Sequence, residues 1–333
     1  MFRFVYGKLL RPLATAIGLG AALALGLSTV QAQEQEQLNF RMGTVQAEGI
    51  FLEGQRKFAE LVAERTDGKV NIEIFCCSQL GGERQLADGV SLGTIGMGVL
   101  GATGSEAMDL LFMPFMFRDR QHALNVVNGP IGDKWASDYY DQTGTRLIGY
   151  VLQGPREFLT NRRAIRTPAD LAGMKIRAPE LPVIVASLRA LGASAVVVSF
   201  PELYLALQQG TADGWEGPVN VMHDAKHWEV GKHLSIASWN YNFNYLLVND
   251  GLWDRMTPDT QTIVREAWKE AAQEITDRLA EASEKILSDF EANGVEVVRV
   301  DPEPFREATK DVWKDYAPRI WGEGVYEAIQ ATE

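Results

Sequence analysis

The chain has 333 residues, of which 46% are hydrophobic and 23% charged, and a formal net charge of −12 at pH 7. So acidic a balance argues against nucleic acid and anionic membrane surfaces as partners, and any bound anion must be held by a local cluster of donors. The two cysteines are adjacent, Cys76-Cys77, which excludes a scaffold built on disulfides. The length suffices for one large or two ordinary domains.

Arg3, Lys8 and Arg11 precede an apolar run from Leu13 to Val30, which exits at Val30-Gln31-Ala32. A charged start, a short apolar core and a small-residue exit predict a secretory signal over residues 1–32. A membrane anchor is the competing reading, but Gly18, Gly20 and Gly26 break the run, and it lies near the lower length limit for a span. No later stretch is apolar enough to cross a bilayer, so no stable membrane insertion is expected. Cleavage removes three basic residues and no acidic one, making the mature chain more acidic still. Its polar start, Gln33-Glu34-Gln35-Glu36-Gln37, is unsuited to a core. The expected location is the periplasm.

Leu38–Val45 alternates as a strand, and Glu48–Arg65 carries Phe51, Phe58, Leu61 and Val62 on one helical face, ending at Thr66-Asp67-Gly68. Val70–Phe75 predicts a second strand, 83–92 a helix and Thr94–Leu100 a third strand. This alternation implies a mainly parallel sheet covered by helices. An aromatic segment, Leu110–Phe117, and a helix around His122–Val127 follow. A second α/β unit comprises strands at Arg146–Leu152, Met174–Arg177 and Ala195–Val198. Its helices are predicted at Pro168–Leu171, Pro182–Leu191 and Phe200–Gln209. Tyr241–Val248 reads as a long strand able to pass between lobes.

The pattern then stays helical from Pro258 to Asn293, with Thr257 as cap, Pro258 in the first turn and Gly294 beyond the end. Such a helix spans roughly 50 Å, longer than one lobe. A strand at Val295–Val300 and two short helices complete the chain. The organisation predicted is a hinged α/β clamp. Lobe I takes 33–153 with about 244–257 and 295–301, lobe II takes 154–243 with the C-terminal helices, and 258–293 connects them. Ligands of such sheets sit at the C-terminal ends of strands.

No enzyme motif survives its context. Gly96-Met97-Gly98-Val99-Leu100-Gly101 has dinucleotide spacing but lies inside a predicted strand, where the motif cannot cradle a pyrophosphate. There is no nucleophile elbow and no His-Glu-x-x-His. His223 and His227 stand four apart, a metal-ligand spacing, yet Asp224 and Lys226 beside them describe a solvated helix face. The chain is read as a non-enzyme with no metal and no cofactor. Arg156 and Arg177 follow or end predicted strands, and a guanidinium fork pairs bidentately with carboxylate.

The sequence resembles the periplasmic solute receptors of TRAP transporters, the type named for C4-dicarboxylate uptake (DctP). The markers are Ser78-Gln79-Leu80-Gly81-Gly82-Glu83, Leu92-Gly93-Thr94, Pro114-Phe115-Met116-Phe117, Arg156 with Thr160-Asn161, and Gly173-Met174-Lys175-Ile176-Arg177. Glu202-Leu203-Tyr204-Leu205-Ala206-Leu207-Gln208-Gln209-Gly210 leading to Ala212-Asp213-Gly214 is the most specific. They cover nearly all of the mature chain. The resemblance implies a two-lobed periplasmic-binding-protein clamp (class II-like) with hinge strands and one long helix spanning both lobes. It implies Arg177 as the main carboxylate-binding residue, with Arg156 assisting. The implied partners are a small-molecule organic acid and the small and large membrane subunits of a TRAP transporter, driven by an ion gradient. The receptor is expected to be a monomer.

One departure bears on the ligand. Where the family usually has Gln-Glu-Asn-Pro, this chain has Trp215-Glu216-Gly217-Pro218. Gly217 cannot give the second hand that the Asn gives the carboxylate, so succinate-type diacids lose support. Glycine is expected to leave volume there, with Trp215 either a flat wall or simply core. Cys76-Cys77 ends the second strand and is either a pair of small buried thiols or, in an oxidising compartment, a vicinal disulfide packing on the ligand. Glu48, Gln153, Glu180, Glu216, Trp239, Phe243 and Asn244 complete the pocket candidates near strand ends. The preferred ligand is a sugar acid or another hydroxylated monocarboxylate. An aromatic or 2-oxo acid, then a C4-dicarboxylate, come next. A ligand-sensing module and an exported hydrolase are the readings from other classes.

Overall fold

In a computed structural model, residues 37–333 are described. The expected signal peptide, 1–32, and the first four residues of the expected lobe I lie outside them. No helix among the described residues is long and apolar enough to cross a membrane.

The first unit alternates β1 (Leu38–Thr44), α1 (Ile50–Arg65), β2 (Val70–Phe75), α2 (Glu83–Ser91) and β3 (Met97–Leu100). Short α3 (Glu106–Asp109), α4 (Arg120–Val127) and α5 (Pro130–Thr143) follow. β4 then runs for 16 residues, Thr145–Thr160, from one half of the molecule into the other. The second unit holds β5 (Lys175–Ala178), α6 (Pro182–Ala190), β6 (Ser194–Val197), α7 (Leu203–Gln208), β7 (Gly214–Pro218), α8 (Val219–Asp224) and β8 (His233–Ile236). β9 (Tyr241–Asn249), α9 (Asp250–Trp253), α10 (Pro258–Ala292), β10 (Glu296–Arg299), α11 (Glu303–Thr309), α12 (Val312–Ile320) and α13 (Val325–Ala331) close the chain.

The strands follow the path β2-β1-β3-β9-β4-β7-β5-β6, with β8 beside β4 and β10 beside β8. β1 is parallel to β2 and β3, and β5 to β6 and β7, as the strand–helix alternation requires. The two parallel groups are joined by antiparallel pairs at β9 and β4. β4 is the shared element: its first part pairs with β9, and Arg156–Thr160 pairs with β7. The register slips between Leu147 and Gly149 and between Leu152 and Gly154, where Gly154 has φ of 126°. From sequence this strand is expected to end at Leu152, just before Gly154-Pro155. In the fold those residues are a bulge that redirects the strand without ending it.

α10 is capped by Thr257, whose side chain accepts from the Thr260 N–H. Val264, Ala267, Trp268, Ala271, Ile275 and Leu279 pack with the β1–β3 side of the molecule. Ile286, Leu287 and Phe290 belong to a separate cluster with Leu159, Leu203, Trp215 and Leu234. One helix therefore clamps both halves. Thr276 pins it at the middle, donating to Leu152 O at 3.0 Å.

Two boundaries are corrected. Residues 295–301, assigned from sequence to lobe I, carry β10, which lies parallel to β8 in the second half. Gly294, with φ of 77°, turns the chain back at the end of α10, and Val295 joins the cluster of Leu234 and Phe290. The C-terminal helices, assigned to lobe II, straddle the halves. Three helices are present rather than two, and the end of the chain straps onto the first half: Trp321, at the end of α12, stacks on Trp135 at 4.7 Å, and Arg118 donates to the Gln330 and Thr332 carbonyls of the α13 end at 2.6 Å.

Candidate functional site

The join between the halves holds a cleft of about 460 Å³, its mouth included, walled by β4, β5, β7 and β9 and the loops after β1 and β3. Arg177, on β5, is 4% exposed and its Nε–H donates to Val198 O at 2.8 Å. No other hydrogen bond from its guanidinium is present among the described residues, so the Nη edge of the fork is available where Arg177 lines the cleft. Burial pushes this guanidinium down to about 10, with Glu216 opposing that and Arg156 adding to it. The charge is therefore costly as it stands, and an anion on the fork would offset that cost.

Arg156 is equally buried but already engaged. Its Nε and Nη2 grip the Glu216 carboxylate at 2.6 and 2.5 Å, Nη2 also donates to Glu216 O at 3.0 Å, and Nη1 donates to Asn242 Oδ1. It sits over the Phe112 ring, 5.6 Å from the centroid. Asn242 begins an amide chain along the wall. Asn242 Nδ2 and Asn244 Nδ2 donate to Gln153 Oε1 at 2.7 and 3.0 Å, and Gln153 Nε2 donates to Gln46 Oε1 at 3.2 Å. The opposite wall is apolar. Phe200 and Trp215 meet edge to face at 6.3 Å, and His227 packs on the Trp215 indole at 4.9 Å. Burial first, then Arg177, push His227 down to about 4, so it meets the indole as a neutral ring. Trp215 Nε1 has no partner among the described residues.

Of the sequence candidates, Arg177, Arg156, Gln153, Trp215 and Asn244 meet in this cleft. Others do not. Glu48 is exposed and paired with Arg56 at 2.6 Å, which holds its carboxyl below the ordinary range. Cys76 and Cys77 lie past the end of β2, the outermost strand of the path, away from the join; both are free, Cys76 half-buried and Cys77 exposed. Trp239 stacks on Phe158 at 5.4 Å and Phe243 meets Phe117 at 5.5 Å; both are core. Glu180 is exposed and lines an adjoining recess that shares Glu83, Ala102, Arg177, Pro179 and Phe200 with the cleft, without lining the cleft itself. Glu216 is a counter-ion rather than a free acceptor.

Gly217 does not leave room for a ligand: a Cβ there would lie 2.8 Å from Trp215 Cη2, so the indole fills that volume. His227, expected on a solvated face, is buried, and His223 faces Asp224 at 3.0 Å. Gln46, Asn242, Phe112, Phe200 and Glu83, which accepts from the Gly101 N–H at 2.8 Å, were not singled out from sequence. Asn242 had a signal: strand side chains alternate, so Asn242 and Asn244 share a face and Phe243 takes the other.

A larger cavity, of about 950 Å³, lies between the join and α10 and shares Gln153 and Pro218 with the cleft. Its two arginines are committed, Arg120 to Asp277 and Arg299 to Glu284. The smaller cleft is the one with an available cationic fork.

Two α/β halves, hinged on continuous strands and spanned by one helix, with a buried arginine fork at the join, define a solute receptor of the clamp type. The chain belongs to the bacterial extracellular solute-binding proteins, family 7, whose model matches residues 43–319. It is 32% identical over 285 residues to the 2,3-diketo-L-gulonate-binding periplasmic protein of Escherichia coli K12, covering 84% of this chain and 86% of that one. Among solved structures it matches a TRAP periplasmic solute-binding protein from Bordetella bronchiseptica, with density interpreted as pantoate. The TM-score is 0.85 and the identity 26%, covering 89% of this chain and 100% of that one. A TRAP receptor from Polaromonas, bound to D-erythronate, matches with TM-score 0.85 and 28% identity, covering 89% and 99%. The protein is a TRAP-type receptor for a small carboxylate-bearing solute, in a family of binding proteins rather than enzymes.

Proposed function

We propose that the protein captures a sugar acid, an aldonate or uronate from erythronate to galactonate in size, in the periplasm. It then delivers the acid as a monomer to the small and large membrane subunits of a TRAP transporter. The observation that carries this is the unequal engagement of the two arginines. Arg177 offers a fork to one carboxylate, while Arg156 is spent on Glu216. Among the described residues lining the cleft, a second carboxylate would meet no free cation, which counts against C4-dicarboxylates. The Gln46–Gln153–Asn242–Asn244 chain offers donors and acceptors together, as hydroxyl groups require. Related receptors for 2,3-diketo-L-gulonate, D-erythronate and L-galactonate support the same ligand class.

A flat aromatic or 2-oxo acid is the second reading, favoured by the Phe112, Phe200 and Trp215 wall beside Arg177. A thermal-shift screen over aldonates, uronates, aromatic acids, 2-oxo acids and C4-diacids tests both, since a ligand that binds the folded state raises Tm by mass action. The largest shift is expected from a hydroxylated monocarboxylate. A screen in which succinate-type diacids alone respond overturns the proposal.

A further inference from the structure

Cys76 and Cys77 are outside the cleft, yet they are not isolated from it. After β2 the chain enters a turn in which Cys77 and Ser78 hold φ of 57° and 61°, and the two sulfurs stand 2.8 Å apart. Bond formation needs them to approach by less than about one ångström. The turn is fastened to the loop that supplies the cleft wall: the Cys77 N–H donates to Gln46 O at 2.9 Å and the Ser78 N–H to Thr44 O at 3.3 Å. Gln46 in turn anchors the outer end of the amide chain through Gln153. One hydrogen bond therefore separates the sulfurs' own backbone from a cleft residue.

We propose that Cys76 and Cys77 form a redox modification site. The two thiols close to a vicinal disulfide in the periplasm, and that bond fixes the turn that positions Gln46. The inference rests on the cleft reading above only for its consequence, not for the chemistry. The oxidant is a protein or low-molecular-weight disulfide. One cysteine loses its proton and attacks it, breaking that S–S bond and releasing a thiol. The other cysteine loses its proton and displaces the second thiol from the mixed disulfide. Two protons and two electrons pass to the acceptor, and one S–S bond forms for the one broken. Although Cys77 is exposed, partial desolvation first and its contact with Cys76 next push its thiol above the ordinary range, which slows its exchange with any disulfide.

The test uses the full chain, exported with its leader and recovered from the periplasm. Alkylation with iodoacetamide under denaturing conditions, without reductant, is expected to label neither cysteine, and the intact mass to be two hydrogens below the reduced form. After mild reduction of the folded protein, hydrogen exchange over residues 44–48 and at the Cys77 amide is expected to quicken several-fold. The same treatment of a Cys76→Ser variant is expected to change nothing. Two labelled cysteines in the unreduced protein overturn the site, and a closed ring with unchanged exchange overturns its link to Gln46. No ligand enters these measurements, so their failure is distinct from a failure of the sugar-acid reading.

Discussion

Trp215 occupies the space that a side chain on Gly217 would need, with its Cη2 placed 2.8 Å from where a Cβ would stand. The two residues lie on one face of β7, so the glycine serves the tryptophan rather than the ligand. Gly217→Ala must therefore push the indole toward the cleft, with no backbone strain to confuse the effect, since Gly217 does not have positive φ. Affinity for the acid identified by the screen is expected to fall about tenfold or more, about 1.4 kcal/mol. Gly217→Asn is expected to do the same without creating diacid binding. Isothermal titration measures both.

Glu216 neutralises Arg156 where both are almost wholly buried, at 0% and 6% side-chain exposure. Removing one partner leaves the other charge uncompensated, at about 3–5 kcal/mol. Glu216→Ala is expected to lower unfolding stability by that order in urea titrations, while Glu48→Ala, which breaks a solvent-exposed pair, is expected to leave it nearly unchanged.

Asp109 sits in α3 at 4% exposure, with Oδ1 unpartnered among the described residues. Burial, then Glu106 and Glu83, push its carboxyl up to about 8. Because the folded value lies above the unfolded one, the contribution to stability is full at pH below the unfolded value and is lost as pH rises through about 8. Tm of the unmodified protein is expected to fall from about pH 4 to about pH 8 and to level off above that, and Asp109→Asn to flatten the fall. Parallel slopes would remove Asp109 from the account.

Gln153 links Gln46 on one side to Asn242 and Asn244 on the other, so it acts on hydroxyl recognition rather than on the carboxylate. Gln153→Leu is expected to weaken a sugar acid by about 1–3 kcal/mol, the cost of leaving buried amides unpaired. A deoxy analogue of the same acid is expected to lose less. Equal losses for both ligands would show that the amide chain is structural.

Much of the frame was legible in the sequence because it rests on period and punctuation. α10 shows this: Thr257 and Pro258 start it, Gly294 stops the chain beyond it, and its apolar positions keep helical spacing throughout. α5 was missed since only Gly132, Trp135 and Tyr139 are fully buried, with Ile131 and Ala136 partly so and polar residues between them. In the cleft, Arg177 was legible by residue chemistry and its place near the end of β5, whereas Arg156 was legible by chemistry alone, since it lies inside β4 rather than beyond a strand ending at Leu152. Cys76-Cys77 misled because a strand's C-terminal end faces the cleft only if the strand is central, and the order that puts β2 outermost is not written locally. Gly217 misled for a related reason: an absent side chain reads as space until the neighbour that fills it is known.

The central claim is that the Arg177 fork holds the ligand's carboxylate. The direct measurement is titration calorimetry of Arg177→Ala against the acid that most stabilises the unmodified protein. Binding is expected to weaken by about 2–5 kcal/mol, some thirtyfold or more. Ligand-free Tm is expected not to fall, because the variant sheds a buried and poorly compensated charge. Arg177→Lys, which keeps the charge but loses the fork, is expected to lie between the two. Affinity unchanged in Arg177→Ala would contradict the account.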